Sequence, residues 1–334
     1  VEWEGDVELL SQQEGSVWKP DSSWKAHRFW IQGVLFADNQ QLVTVSADQL
    51  IKVWNASDGE ELASLRGHRD EIASAVMSPD GKSLYTGSKD GELKQFALKP
   101  PVKTHSLEKA IPGIELARFS ANQRDLGILT LPDRVKVLRS SNLGQVIDQE
   151  ISSDTRTLAV SDDGASVVVG DKKGQVQRLH GDVTRPPEIL LQHDAAVNAV
   201  CLSPGGNLLA TFGMDQTVRL FDFSTGTDSV LLRGIECDGP HAYALAFSED
   251  AARLAVSDWE GIVTILDLNT REVIGRTSRH TDTVWQPIFL PGTQQLACAS
   301  SSGYLTLWGL DPVEKLASEK GQFLGLHSIA VCPN

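Results

Sequence analysis

Cysteine is scarce in this chain and follows no pattern. The 334 residues include four, at positions 201, 237, 298 and 332. Their number and scatter exclude a disulfide framework and the close ligand spacing of a zinc site, so we expect neither a metal nor another cofactor. Three of them lie in strand-like apolar runs and are interpreted as small buried hydrophobes. Cys237, in the irregular stretch IECDGPHAY, is the one candidate for a reactive thiol.

Long apolar runs and an excess of basic residues are also missing. No run approaches the ~20 residues that a membrane-spanning helix requires, and no charged-then-apolar leader opens the sequence. Lysine and arginine number 30 against 44 acidic residues, for a formal net charge of −14. Nucleic acids and anionic membranes are bound chiefly through lysine and arginine, so this balance argues against both partners. We expect a soluble monomer and favour the cytoplasm as its compartment.

The motifs of common enzyme classes are absent as well. The sequence contains no glycine-rich phosphate loop ending in Lys-Ser or Lys-Thr, no His-Glu-x-x-His and no Gly-x-Ser-x-Gly. Four of the eight histidines, at positions 27, 68, 193 and 280, recur at the same place of a repeated unit. A repeated position indicates a structural role, because a single active site needs no such repetition. We therefore predict a protein that is not an enzyme.

What the sequence does contain is a unit that returns about every 42 residues. It is most complete from Gly67 to Phe96, as GHRDEIASAVMSPDGKSLYTGSKDGELKQF. The residues that close successive units are Leu10, Trp54, Phe96, Leu138, Leu179, Phe221, Leu266 and Trp308. Four short strands and their turns occupy about 40–45 residues in one blade of a β-propeller. The spacing predicts an all-β propeller, and we expect residues 1–334 to form a single domain.

A polar pattern repeats inside the unit. His27, Ser46, Asp48 and Trp54 show it in full, as the arrangement in which the Asp orients the His, the His meets the Ser hydroxyl and the Ser reaches the indole N–H. This pattern resembles the WD-repeat (β-transducin-like) propeller family. The resemblance covers nearly the whole chain, with the best-matched units at 27–55, 68–96, 193–222 and 280–308. In that family the tetrad holds three strands of one blade together.

Several units depart from the tetrad. Leucine closes the units at positions 138, 179 and 266, Gly213 stands at the Ser place, and Ser302 stands at the Asp place. A buried polar network stabilises a protein only when each member has a partner. These blades are therefore expected to depend on apolar packing. The units that end at Leu138 and Leu179 are expected to be locally less stable.

The two ends of the chain suggest how the ring closes. Residues 1–10 (VEWEGDVELL) match the VSDWEGIVTIL that ends at Leu266, as a third strand, and the tail LHSIAVCPN matches a first strand. We favour eight blades, the eighth incomplete and assembled from both termini, with its first strand from about Leu326 and its third and fourth strands from about Gly5 to Lys25. Such closure removes an open sheet edge. Seven blades with additional ends are the alternative.

The resemblance also implies where a partner binds. WD-repeat propellers most often use the face where the fourth-to-first and second-to-third strand connections converge, here called the top face. Three positions per blade point there: the third and fifth residues after the tetrad His, and the residue before the turn Asp. Carried over unit by unit, the aromatic and histidine side chains at these positions fall on four adjacent blades. This aromatic arc consists of Trp3, Trp30, His241, Tyr243, Trp259, Trp285 and His327.

Exposed Trp and Tyr are enriched in binding hot spots, so the arc is the predicted partner-binding surface. Trp18 and Trp24 are expected instead to pack where the ring closes. Carboxylates flank the arc and suit a basic peptide. They belong to Glu2, Glu4, Asp258, Glu260 and Asp282. On the opposite side Arg156, Lys172 and Lys173 could take an acidic segment.

The predicted function is a non-enzymatic protein-protein interaction scaffold that binds a peptide or protein segment on the top face. The alternative is a regulatory or sensor domain of a larger signalling protein, such as a kinase or an NTPase. A hydrolytic or lyase propeller would require converging His, Asp or Glu side chains in the central channel, and the repeats do not supply them.

Overall fold

A computed structural model of the chain describes residues 5–13, 17–78, 81–98, 104–106, 114–120, 125–130, 134–139, 145–152, 154–182, 184–235, 244–278, 284–300 and 302–320. Its strands form one two-stranded and seven four-stranded antiparallel sheets. Within the described ranges there is no helix with the length and apolar character to cross a membrane. The all-β prediction is confirmed.

The chain starts with a hairpin of β1 (Gly5–Gln13) and β2 (Val17–His27). Blade one consists of β3 (Ile31–Phe36), β4 (Gln41–Ser46), β5 (Ile51–Asn55) and β6 (Glu61–Leu65). Blade two consists of β7 (Ile72–Met77), β8 (Ser83–Ser88), β9 (Leu93–Ala97) and β10 (Thr104–Ser106). Blade three consists of β11 (Ile114–Phe119), β12 (Asp125–Thr130), β13 (Arg134–Arg139) and β14 (Gln145–Glu150).

The remaining four blades follow the same order. Blade four consists of β15 (Thr155–Val160), β16 (Ser166–Asp171), β17 (Gln175–His180) and β18 (Glu188–Gln192). Blade five consists of β19 (Val197–Leu202), β20 (Leu208–Gly213), β21 (Thr217–Asp222) and β22 (Thr227–Arg233). Blade six consists of β23 (Leu245–Phe247), β24 (Arg253–Ser257), β25 (Val263–Asp267) and β26 (Glu272–Arg276). Blade seven consists of β27 (Val284–Phe289), β28 (Gln295–Ser300), β29 (Tyr304–Leu310) and β30 (Val313–Lys320).

The first strand of each blade lies innermost. From blade one to blade seven, each first strand contacts the first strand of the next blade, as β15 contacts β19 and β19 contacts β23. The faces between neighbouring blades are filled by branched aliphatic side chains: Val135 and Val137 of blade three pack with Val167 and Val169 of blade four. This packing fixes the strand ends of adjacent blades side by side, which is how residues distant in sequence come to share one face.

The seven four-stranded sheets correct the favoured count of eight blades and agree with the alternative of seven. The β1–β2 hairpin covers the span predicted for two strands of an eighth blade, but its strands pair only with each other among the described residues. It lies between blades seven and one, because β2 contacts β30 while Val7 and Ala26 pack against Leu42. The strand predicted from about Leu326 lies outside the described residues.

Trp24 of the hairpin packs against Trp54 of blade one, with ring centroids 5.5 Å apart. The prediction that Trp24 belongs to the closure of the ring is confirmed. The Trp18 side chain lies outside the described part.

Candidate functional site

The predicted tetrad exists in blade one, with one member replaced. The Asp48 carboxylate lies 3.0 Å from His27 Nδ1, and His27 Nε2 lies 2.7 Å from the Thr44 hydroxyl. Trp54 Nε1 donates to the same hydroxyl at 2.8 Å. The hydroxyl of the network is therefore that of Thr44, which corrects the prediction of Ser46. Blade two repeats the correction, because His68 Nε2 lies 2.8 Å from Thr86 Oγ1 and Ser88 is not part of the network.

Ser46 is unavailable to His27 because it closes its own turn. Its hydroxyl donates to the carbonyl of Trp30 at 3.0 Å and accepts the Asp48 backbone N–H at 3.1 Å. Thr44 and Ser46 point to the same side of β4, since side chains alternate along a strand. The hydroxyl deeper in the blade is the one that meets both rings.

The network is complete where the Thr is present. Blade five has it, since His193 contacts both Asp215 and Thr211. The Gly213 departure therefore leaves this network intact, contrary to the prediction. Leu closes blades three, four and six, and in each of them an aliphatic residue stands at the position equivalent to Thr44. These residues are Ile128, Val169 and Val256. The predicted dependence on apolar packing is confirmed for blades three and four by the buried aliphatic cluster around Val169.

In blade seven the indole N–H of the closing Trp has a different hydrogen-bond acceptor. Cys298 occupies the Thr place and is fully buried. Trp308 Nε1 donates instead to Thr306 of its own strand, at 3.1 Å. Burial raises the pKa of the Cys298 thiol well above its usual range. The prediction that Cys298 is a small buried hydrophobe is confirmed. Cys201 is half-buried, and the two remaining cysteines lie outside the described residues.

The electrostatics identify the histidines as structural. Burial lowers the pKa of His68 and His193, although Asp90 and Asp215 oppose the shift. Burial alone would raise the pKa of those two carboxyls, but the hydrogen bonds that they accept from backbone amides and from the imidazoles outweigh it, and their pKa is lowered. At neutral pH each imidazole is uncharged, so its Nδ1–H donates to the carboxylate and its Nε2 accepts from the Thr hydroxyl.

One group of possible metal ligands occurs in the described part of the chain: His68, Asp90 and Glu92, whose ligand atoms lie within 4.8 Å of one another. Each is already engaged. Asp90 holds His68, and the Lys94 ammonium lies 2.6 Å from the Glu92 carboxylate. A cation would have to displace both interactions, so the group is interpreted as part of the blade's stabilising network.

The positions predicted to point to the top face do lie side by side. In four blades the same backbone hydrogen bond joins two of these positions. The donor is the N–H of the residue before the turn Asp position, and the acceptor is the carbonyl of the third residue after the tetrad His position. The pairs are Ala47 with Trp30, Lys89 with Glu71, Lys172 with Asp154, and Met214 with Ala196. These bonds join the second-to-third strand turn to the start of the innermost strand at one end of each blade.

The fifth position after the tetrad His is a bulge. In six blades one residue of the innermost strand has no partner across the ladder, because the register shifts around it. These residues are Gln32, Ala73, Glu115, Arg156, Asn198 and Trp285. A bulge redirects a side chain out of the sheet, and bulges are common beside binding sites. In these six blades the innermost strand thus presents one redirected residue at the channel mouth.

The aromatic arc is only partly within the described residues. Trp259 lies in the turn between β24 and β25 and is 38% exposed. Trp30 is half-buried just before β3, and the Trp285 backbone lies in β27 while its side chain lies outside the described part. Trp3, His241, Tyr243 and His327 lie outside the described residues. The Trp30 backbone meets the turn between β4 and β5, and Trp259 lies in the corresponding turn of blade six.

Phe29 was missed by the sequence prediction and is the most exposed aromatic residue described, at 51%. It follows the tetrad His by two residues, a place that the family positions skip, and only its position beside Trp30 could have signalled it. The other large exposed hydrophobics are aliphatic and lie on outermost strands. They are Leu62, Ile189, Val273, Ile274 and Leu316. Exposed aromatic surface in the described part is therefore confined to the top face.

The charges beside the arc differ from the prediction at one residue. Asp258 is buried and its carboxylate accepts the Ile262 backbone N–H at 2.8 Å, so it caps the turn. Glu260 is half-buried on the other side of Trp259. Glu2, Glu4 and Asp282 lie outside the described residues. Among the carboxylates predicted to flank the arc, Glu260 is therefore the one that is described and not buried.

The comparisons with known proteins agree with this geometry. The family model described as WD domain, G-beta repeat matches residues 18–55, 59–96 and 185–222. These stretches end in blades one, two and five, the three in which the His–Asp–Thr network is complete. A solved structure, that of the computationally designed Ika8 protein, has a TM-score of 0.74, covers 91% of both chains and is 20% identical, which supports the fold alone.

Curated relatives match the chain at low identity. A guanine nucleotide-binding protein subunit beta of Nicotiana tabacum is 23% identical over 71% of this chain and 68% of that protein. A serine-threonine kinase receptor-associated protein of Gallus gallus is 23% identical over 84% of this chain and 76% of that protein. A Protein LST8 homolog of Dictyostelium discoideum is 27% identical over 50% of this chain and 57% of that protein. The matched repeats, these relatives and the seven four-stranded sheets support the predicted resemblance to the WD-repeat β-propeller family.

Proposed function

We propose that the chain is a monomeric, non-enzymatic interaction scaffold whose top face binds a peptide or protein segment through the aromatic arc. The observation that carries the proposal is the exposure of Phe29 and Trp259 on that face. Aromatic side chains dominate binding hot spots because each one buries a large rigid area at a small cost in conformational entropy. Two exposed aromatic rings on one face of a rigid ring of blades fit this role.

The relatives support a protein as the partner. One is named as a subunit of a guanine nucleotide-binding protein and another as a kinase receptor-associated protein. The proposed occupant is a basic segment, because a Lys or Arg can lie over the Trp259 ring while Glu260 supplies a neighbouring carboxylate. The alternative, a regulatory domain of a larger signalling protein, stays a prediction that the sequence of the full-length gene tests.

Selection from a displayed library of random peptides tests the proposal. Peptides that bind the parent protein are compared on the double variant Phe29→Ala/Trp259→Ala and on the double variant Ile189→Ala/Leu316→Ala. The second variant is the matched control, because it removes exposed apolar surface from the rim. Thermal melting checks that both variants fold.

We expect the top-face variant to lose at least tenfold in affinity and the rim variant to bind as the parent does. Peptides that depend on the rim, or a parent that selects none, would contradict the proposed function.

A further inference from the structure

The bulges of blades four and five place two uncommitted polar side chains at the channel mouth. Arg156 is the redirected residue of β15 and Asn198 that of β19. The strands β15 and β19 contact each other, so the two bulges are neighbours on the top face. Among the residues at these bulges, Arg156 is the one with a guanidinium.

Arg156 is exposed, and within the described ranges no carboxylate forms an ion pair with it. The carboxylate two residues away, Asp154, is shared by Lys172 and Lys173, whose ammonium groups lie 3.9 and 3.4 Å from it. Asp171 is buried and accepts the backbone N–H groups of the turn. The start of β15 and the turn between β16 and β17 therefore carry three cations beside one shared surface carboxylate, in a chain with a net charge of −14.

Asn198 adds an unused donor. Its Nδ2 is buried and has no hydrogen-bond partner. A buried donor without an acceptor costs free energy that a ligand can recover by supplying the acceptor. The side chain as a whole is only half-buried, so the residue is accessible to a ligand at the bulge.

The cationic turn is held in place before any ligand arrives. Gln192 Nε2 donates to the Lys173 carbonyl and the His193 backbone N–H donates to the Gly174 carbonyl, both at 2.8 Å. Gly174 has a φ of +86°, and a Cβ there would lie 2.2 Å from the His193 carbonyl oxygen. The turn thus packs directly against the start of blade five, so the backbone that carries the two lysines is already ordered.

We propose that Arg156 and Asn198 form a carboxylate-binding site that takes the side chain of an Asp or Glu from the protein segment bound on the top face. The planar guanidinium offers a fork of donors that matches a carboxylate, Asn198 supplies one further N–H, and Lys172 adds favourable charge. The inference rests on the proposed function and specifies it: the segment that is basic at the aromatic arc carries an acidic residue where it reaches blades four and five.

Peptides selected as above provide the probe. The selected peptide is synthesised with an amidated C-terminus, so that its side chains hold the only carboxylates, and beside it a version with Glu or Asp changed to Gln or Asn. Both are titrated against the parent, Arg156→Gln, Asn198→Ala and Arg276→Gln. Arg276 lies exposed on β26 and gives a matched loss of one charge away from the site.

We expect the parent and Arg276→Gln to prefer the acidic peptide by about tenfold, and Arg156→Gln to remove that preference. Asn198→Ala should reduce it in part. Selected peptides without acidic residues, a preference that persists in Arg156→Gln, or one that requires a free C-terminus would overturn the site. If peptides that fail this test still depend on Phe29 and Trp259, the proposed function stands without the carboxylate-binding site. A parent protein that binds no peptide contradicts both the proposed function and the carboxylate-binding site.

Discussion

The Thr44 hydroxyl holds two buried rings, so removing it measures how much the corrected network contributes to stability. Thr44→Val keeps the shape of the side chain and deletes Oγ1. Trp54 Nε1 then loses its acceptor at 2.8 Å, and His27 Nε2 loses the hydroxyl at 2.7 Å. Thr44, His27 and Trp54 are all buried, so water cannot replace the lost partner.

The magnitude follows from the number of groups left without a partner. Each buried donor or acceptor that loses its partner costs about 1–3 kcal/mol, so Thr44→Val, which leaves two such groups, should lower the free energy of unfolding by about 2–6 kcal/mol. Thr86→Val is the matched control. Phe96 closes blade two, so only His68 Nε2 loses a partner there, and a loss about half as large, about 1–3 kcal/mol, is expected.

Urea unfolding followed by circular dichroism measures both losses. A third variant, Thr44→Val/Trp54→Phe, removes the orphaned indole N–H, and its loss should be smaller than the sum of the two single losses by about 1 kcal/mol. Equal losses for Thr44→Val and Thr86→Val, together with additive behaviour of the double variant, would refute the proposed sharing of the Thr44 hydroxyl.

The remaining predictions concern pH and backbone conformation. Because the pKa values of His68 and His193 are lowered in the folded protein, the unfolded state binds more protons, and the urea midpoint should fall as pH drops below about 6.5. The lowered pKa values of Asp48, Asp90 and Asp215 continue the decline below about pH 4; a midpoint that rises on acidification would contradict both assignments. Gly174→Ala should lower the melting temperature more than Gly205→Ala. Both positions have a positive φ, but only a Cβ at Gly174 meets backbone atoms, and equal effects would exclude the close approach.

The repeat period predicted the blades because it is set locally. Each unit supplies its own four strands, and the closing residues lie at one register position, as Leu42 opposite Trp54 and Leu84 opposite Phe96 show. The number of blades depends on what the terminal hairpin pairs with. That pairing is non-local. A two-strand pattern at one end of a sequence is the same whether the strands form an isolated hairpin or part of a blade.

The site was predictable only in part, for similar reasons. Spacing identified His27, Asp48 and Trp54, but Thr44 and Ser46 are both hydroxyls on the same side of β4, and the choice between them depends on the turn that Ser46 closes. The top-face positions followed from the family resemblance. The exposure of Phe29 and the unpartnered amide of Asn198 depend on packing between blades, which no single repeat encodes.

Photo-crosslinking tests most directly whether the partner binds on the top face. Benzoylphenylalanine replaces Phe29, Trp259 or the rim residue Ile189 in three separate proteins, each irradiated with a peptide selected on the parent. The predicted result is a crosslink from position 29 or 259 and none from position 189. A crosslink from 189 alone, with the peptide still bound, would contradict a top-face site.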